Sequence, residues 1–128
     1  MVLEKGSILV MQGDSITDTG RARPVGEKNG ELGSGYVQYV AAFLNAAYPE
    51  LGIRVLNTGI SGNTSRTLLE RWQEDTLDLN PSWVSIMIGA NDVWRQHDRP
   101  LATEHIVDDA EYRKNLEEII QKTLPVTK

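Results

Sequence analysis

Three short polar segments carry the residue types that acyl transfer requires. The first holds a serine hydroxyl, the second two glycines among small polar residues, and the third an asparagine amide: Gly13-Asp14-Ser15, Asn57-Thr58-Gly59-Ile60-Ser61-Gly62-Asn63 and Gly89-Ala90-Asn91-Asp92. Attack on an ester needs a nucleophile and hydrogen-bond donors for the oxyanion of the tetrahedral intermediate. The segments therefore suggest a serine nucleophile served by backbone and amide donors.

Each of these residues has a specific expected role. Ser15 is the candidate nucleophile, and its own N–H is a candidate oxyanion donor. The N–H of Gly59 and the side-chain amide of Asn91 are the other two candidate donors. Asp14 is expected to hold the turn at the serine through hydrogen bonds to nearby backbone, and Asp92 to brace its loop. Each segment alone also fits an ordinary strand-to-loop transition, and the asparagine could instead brace its own loop.

Each polar segment follows a short apolar run that is typical of a strand buried on both faces. Such strands are predicted near residues 7–12, 53–57 and 83–88. Apolar residues at helical spacing predict helices at residues 36–47 and from about 64 to 75. This alternation predicts right-handed βαβ units in a parallel sheet, with the first strand between the other two. The three polar segments then lie at one sheet edge, where their side chains can converge.

The remaining segments are less informative about chemistry. Residues 20–35 are rich in glycine and charge and are interpreted as a solvated connection, although Arg21 and Arg23 could reach a substrate or a partner subunit. The aromatic residues of the first predicted helix are expected to pack: Tyr36, Tyr39 and Phe43. Asp108 begins a segment with capping-box spacing, followed by apolar residues expected on the inward face of a last helix: Tyr112, Leu116, Ile119 and Ile120.

Composition limits the function further. The 128 residues suffice for one domain with a modest core. A net charge of −5 argues against a nucleic-acid surface, since phosphate binding needs a basic patch. The chain has no cysteine, which fits a reducing compartment, and no apolar run long enough to span a membrane. A soluble, cytoplasmic protein without membrane partners is expected.

The three polar segments are similar to three of the four sequence blocks of the SGNH (GDSL-type) hydrolases, in the same order and at matching spacing. The surrounding text, such as GDSITDTGRARP, NTGISGNT and SWVSIMIGANDVWRQ, looks like the intracellular acetylxylan esterases of that family. The resemblance runs from about residue 6 to 124. It implies a flavodoxin-like three-layer α/β/α fold with a parallel sheet. It also implies removal of acetyl groups from xylo-oligosaccharides by a serine mechanism, without metal or cofactor.

The chain departs from that family in one block. The fourth block, Asp-x-x-His, supplies the base and its orienting carboxylate, and it is absent here. The two histidines, His97 and His105, lie in polar stretches and do not match the family base, so neither is assigned a catalytic role. No further strand follows the last predicted helix. We therefore expect residues 1–128 to be a single hydrolase domain without its C-terminal part, and to be inactive alone.

Other functions stay open at this point. Within the family, a lysophospholipase or thioesterase is the alternative to a carbohydrate esterase. Outside catalysis, the alternative is a sugar-binding or assembly module that kept the fold and lost the base. The expected partner is an acetylated carbohydrate or another small ester, and the chain could also form a homo-oligomer, because an incomplete sheet leaves apolar surface uncovered.

Overall fold

The computed structural model describes residues 3–98 and 106–127, in which three strands and six helices alternate. The strands are β1 (Ile8–Gly13), β2 (Arg54–Asn57) and β3 (Trp83–Met87). The helices are α1 (Ser15–Asp18), α2 (Tyr36–Ala47), α3 (Ser65–Glu70), α4 (Trp72–Asp75), α5 (Ala90–Asp98) and α6 (Asp109–Thr123). Single 3-10 turns lie at Pro49–Leu51 and Leu77–Leu79. None of the helices in these two ranges is long and apolar enough to cross a membrane.

The sheet is parallel throughout, with β1 between β2 and β3. Val10 at the centre of β1 lies opposite Leu56 on one side and Val84 on the other. The predicted strand order and parallel pairing are confirmed, and the predicted strand bounds agree with the structure to within one residue. Because the strands are parallel, the carboxyl ends of all three lie at the same sheet edge.

Helices cover both faces of the sheet and form two separate core clusters. On one face α2 packs its buried Val37 and Ala41 against Met11 and Val55. On the other face Leu68, Trp72 and Ile119, from α3, α4 and α6, form the second cluster with side chains that include Val84 and Ile88. This arrangement of helix, sheet and helix is the predicted three-layer fold.

The helices differ from the prediction in detail. The predicted helix at 64–75 is divided into α3 and α4 by a break at Arg71, and α1 and α5 were not predicted. Tyr39 and Phe43 were expected to pack but are exposed, Phe43 to 72%. Helical periodicity places them on the side of α2 opposite Val37, and this explains the error. Ile120 of α6 is likewise exposed rather than inward-facing.

An apolar surface surrounds the outer edge of β3, which has no neighbouring strand among the described residues. Ile86 and Met87 of this strand are exposed, as are Ile120 and Leu124 at the end of α6. A groove of about 220 Å³ runs between β3 and α6. Open strand edges and contiguous apolar patches promote association between chains.

Residues 1–128 on their own are therefore expected to associate at micromolar concentration. Size-exclusion chromatography with light scattering should show species larger than the 14.3 kDa monomer. The double variant Ile120→Lys/Leu124→Lys should shift the population towards monomer, because two charges would lie in the groove. Phe43→Lys, on the opposite face, is the matched control and should change little. A monodisperse monomer of the unaltered chain would contradict the expectation.

Candidate active site

Ser15 lies directly after β1, as the first residue of α1, with its side chain exposed. Asp14 caps this helix, and its Oδ1 accepts the N–H of Ile16 at 2.9 Å. A Cβ on Gly13 would collide with the carbonyl oxygen of Met87, so only glycine allows β1 and β3 to approach this closely. The backbone N–H of Ser15 has no hydrogen-bond partner in the part of the chain that the structure describes. Both the hydroxyl and this N–H are therefore available to a substrate.

The loop after β2 begins with a buried asparagine that fixes its path. The Nδ2 of Asn57 donates to the carbonyl oxygens of Thr17 at 2.7 Å and Leu32 at 2.8 Å. Its Oδ1 accepts the N–H of Gly59 at 3.0 Å. Gly59 is buried, and a Cβ there would lie 2.7 Å from the backbone nitrogen of Asp18. Glycine is needed here for close packing, and its N–H is already occupied.

That hydrogen bond argues against Gly59 as an oxyanion donor, the role that the sequence suggested. The unpaired backbone donor of this loop is instead the N–H of Gly62, three residues further on. The N–H of Asn63 donates to the carbonyl of Ile60 at 3.2 Å, and Gly62 between them has a φ of +83°. A positive φ at this position is the signature of a type II turn, which favours glycine. Gly62 is exposed, and its N–H is unpaired among the described residues.

Asn91 lies in the first turn of α5, just beyond β3, and is half-buried. Its Nδ2 donates to the carbonyl oxygen of Asn63 at 2.9 Å. A primary amide carries two hydrogens, so one remains for a ligand. The loop is also joined to β1, because the N–H of Ile60 donates to the carbonyl oxygen of Gly13 at 3.1 Å. The segments after β1, β2 and β3 are thus connected at one edge of the sheet.

Asp92 holds the base of α5 rather than facing the site. Its buried carboxylate accepts the N–H of Ser65 at 2.9 and 3.0 Å and the hydroxyl of the same residue at 2.6 Å. The Nδ2 of Asn115 on α6 donates to that hydroxyl at 3.1 Å. These bonds join α3, α5 and α6, and they are what a supporting role for Asp92 requires.

Two guanidinium groups, one buried and one half-buried, donate hydrogen bonds to the loops, and the sequence analysis predicted neither contact. Arg21 was placed in a solvated connection but is only 5% exposed. Its Nε donates to the carbonyl oxygen of Gly59 at 2.8 Å, and its Nη1 to those of Ala22 and Pro24. Burial lowers the pKa of Arg21 to about 10, so the group stays charged at neutral pH.

Arg71 is the second of these groups and joins β1, the loop after β2 and α4. Its Nε donates to Asn63 Oδ1 at 2.6 Å, and its Nη1 to the carbonyl oxygen of Thr58 at 2.9 Å. Nη2 reaches the carbonyl oxygen of Gly13 at 3.3 Å, and Asp75 pairs with Nη1. Burial lowers the pKa of Arg71. In a sequence, such a residue could be recognised as an arginine among the apolar residues that form the inward face of a helix.

No side chain in the described ranges is hydrogen-bonded to the hydroxyl of Ser15 as a base would be. His97 is exposed near the end of α5, and its imidazole makes no hydrogen bond to residues 3–98 or 106–127. His105 lies outside the described residues. The arrangement therefore contains a candidate nucleophile and candidate oxyanion donors, and within these two ranges no hydrogen-bond partner is present that would take the serine proton.

Comparison with known proteins connects this geometry to a family. Residues 12–127 match the GDSL-like Lipase/Acylhydrolase family. The chain is 55% identical to an acetylxylan esterase of Geobacillus stearothermophilus, over all of this chain and 59% of that protein. It thus spans less than two thirds of the length of this relative.

Solved structures give the same result. The crystal structure of Axe2, an acetylxylan esterase from Geobacillus stearothermophilus, superposes with a TM-score of 0.96 at 55% identity, over 99% of this chain and 58% of that one. LAE5, an alpha/beta hydrolase enzyme from the metagenome of Lake Arreo, Spain, superposes with a TM-score of 0.92 at 47% identity, over 98% and 58%.

Further Axe2 structures are described as catalytic mutants. One carries S15A, and the others replace an aspartate at position 191 and a histidine at position 194 of that enzyme. The parallel three-layer fold, the Gly-Asp-Ser turn and the match over residues 12–127 agree with one another, and this chain belongs to the GDSL-like lipase/acylhydrolase family.

Proposed function

We propose that the full-length protein is a serine esterase that removes acetyl groups from carbohydrate, with xylo-oligosaccharides as its substrate class. The observation that carries the proposal is the grouping of unpaired polar groups at one sheet edge. The exposed hydroxyl and free N–H of Ser15 lie at the end of β1. The free N–H of Gly62 and the remaining amide hydrogen of Asn91 belong to the two adjoining segments.

The proposed reaction has two steps. The hydroxyl of Ser15 attacks the acetyl carbonyl carbon, its proton passes to a base, and the sugar alcohol leaves with a proton. Water then attacks the acetyl-serine, and acetate is released. In both steps the carbonyl oxygen carries negative charge, and the N–H groups of Ser15 and Gly62 with the amide of Asn91 would stabilise it. This sequence of steps uses neither a metal nor a cofactor.

The base is the component that the described residues do not supply. In Axe2 the substitutions described as catalytic include S15A, at the same number as the serine here, and an aspartate and a histidine three positions apart. We propose that an equivalent Asp-x-x-His pair completes the site in the full-length protein. The histidine would take the proton from Ser15, and the aspartate would orient the histidine.

The substrate class rests on the relatives. One is named an acetylxylan esterase, and an Axe2 variant is described as an acetyl-xylooligosaccharide esterase. The alternatives considered from sequence, a lysophospholipase, a thioesterase and a module without catalysis, are not favoured by these names. A short acyl group also fits the sequence, which has no long apolar segment that could line an acyl tunnel.

The test compares the full-length gene product with residues 1–128 on acetylated xylo-oligosaccharides, p-nitrophenyl acetate and p-nitrophenyl octanoate. The full-length protein should release acetate from both acetyl esters and act poorly on the octanoate, while residues 1–128 should show no turnover. Brisk hydrolysis by residues 1–128 would place the base within them. No hydrolysis by the full-length protein would overturn the esterase and favour the non-catalytic module.

A further inference from the structure

Asp18 is a buried carboxylate beside the candidate site for which the mechanism has no use. It is the last residue of α1, and its side chain is 6% exposed. Its Oδ2 accepts the backbone N–H of Ser61 at 2.9 Å and the Nη2 of Arg23 at 2.6 Å. Its Oδ1 is buried and has no partner among the described residues. A carboxylate in this position needs a reason, because burial of a charge is unfavourable.

The carboxylate is charged at neutral pH and is therefore a strong acceptor. Burial raises the pKa of Asp18, but the hydrogen bonds from Arg23 and Ser61 and the charges of Arg23 and Arg21 outweigh this and lower it. Hydrogen bonds to ionised acceptors are roughly twice as strong as neutral ones. The bond to the N–H of Ser61 is thus one of the strongest that this loop makes.

The position of that bond relative to Gly62 gives it significance. Ser61 and Gly62 are the two central residues of the turn from Ile60 to Asn63. The peptide between them carries the free N–H of Gly62, and the orientation of this peptide is what distinguishes a type II turn from a type I turn. Fixing the N–H of Ser61 therefore restrains the plane of the next peptide and the direction of its donor.

The acceptor of this hydrogen bond, Asp18, lies on the same short helix as the candidate nucleophile. Helix α1 has four residues, begins with Ser15 and ends with Asp18. One rigid turn of helix therefore carries both the serine hydroxyl and the carboxylate that holds the donor loop. We propose that Asp18 is a positioning residue, which sets the place of the Gly62 N–H relative to the Ser15 hydroxyl by accepting the N–H of Ser61. The inference rests on the esterase function proposed above.

Arg23 provides the control, because it also donates a hydrogen bond to the carboxylate of Asp18 but lies outside the loop from Ile60 to Asn63. Its side chain is 51% exposed, and its Nη2 donates to the same carboxylate oxygen as the N–H of Ser61. Removing Arg23 leaves the bond between Asp18 and Ser61 in place. Its loss should therefore not disturb the donor.

The experiment measures kcat and KM for p-nitrophenyl acetate with the full-length protein. Asp18→Ala should lower kcat by about 10- to 100-fold, somewhat less than loss of an oxyanion donor itself, with KM nearly unchanged. Asp18→Asn retains an acceptor oxygen and should recover most of kcat. Arg23→Met should keep wild-type kcat. Gly62→Ala, which strains the turn, should lower kcat on its own, and adding Asp18→Ala should lower it little further, because both changes act on one donor.

Wild-type kcat in Asp18→Ala, an equal loss in Arg23→Met, or losses that multiply with Gly62→Ala would each overturn the inference. Should Asp18→Ala fail to fold, Ser61→Pro removes the same hydrogen bond from the donor side, at the turn position that favours proline. It should then reproduce the fall in kcat, and wild-type kcat in that variant would equally overturn the inference. An inactive wild-type protein would instead count against the esterase proposal, so the two failures are distinguishable.

Discussion

Replacing Ser15 by alanine is expected to remove nearly all esterase activity of the full-length protein. The substitution deletes the attacking hydroxyl and leaves the backbone N–H and the other donors in place. Loss of the nucleophile in a serine protease lowers kcat about 10⁶-fold, and a fall of roughly that size is expected here. The oxyanion donors alone can retain ~10³–10⁴-fold acceleration over water, so a small residual rate would not be surprising.

The measurement is release of acetate from acetylated xylo-oligosaccharides, with the melting temperature as a check on folding. The side chain of Ser15 is exposed and makes no hydrogen bond to the described residues, so the melting temperature should not change. Ser34→Ala, which also alters an exposed serine, is the matched control and should retain full activity. Substantial turnover by Ser15→Ala would mean that another group is the nucleophile.

Replacing Asp92 by alanine is expected to be the most damaging single change to stability near the site. The carboxylate is 3% exposed and accepts both the N–H and the hydroxyl of Ser65. Alanine would leave these two donors buried without their charged acceptor. Hydrogen bonds to charged groups contribute about 1.5–3 kcal/mol each, so a loss of about 3 kcal/mol in the free energy of unfolding is expected.

Urea denaturation of the full-length protein measures this loss. Asp92→Asn keeps one acceptor oxygen and should be intermediate. Asp98→Ala is the control on the same helix, because Asp98 pairs with Arg95 at the surface, where an ion pair adds about 0–1 kcal/mol. If Asp92→Ala and Asp98→Ala destabilise the protein equally, the hydrogen bonds of Asp92 do not have the importance assigned to them.

Local patterns were sufficient for the fold and insufficient for the details of the site. The apolar runs and helical spacing predicted the three strands, their parallel order and the helix α2, because buried faces dominate these patterns. The Gly-Asp-Ser turn was predicted for the same reason, since it directly follows a buried strand. The position of Asn91 and Asp92 at the carboxyl edge of the sheet was predicted in the same way, because both residues follow β3 closely in the chain.

Two features of the site depend on hydrogen bonds that apolar patterning does not reveal, one between near neighbours in the chain and one between residues far apart in sequence. Gly59 and Gly62 look alike in the sequence, and only the side chain of Asn57 shows that the N–H of the first is occupied. Arg21 appears in a polar loop, yet its guanidinium is drawn inward by the carbonyl oxygen of Gly59. Composition and apolar periodicity reveal neither of these hydrogen bonds.

The central place of β1 has a consequence for how the protein is made. Among the three described strands β1 leaves the ribosome first, and its neighbours β2 and β3 follow much later in the chain. At a synthesis rate of about 5–20 residues per second, the interval between Gly13 and Met87 is on the order of 4 to 15 seconds. Throughout that interval at least one edge of the apolar strand β1 has no neighbouring strand to pair with. The strand order therefore sets how long this edge stays unpaired during translation, when unpaired edges are prone to aggregate, and no surface substitution would shorten that interval.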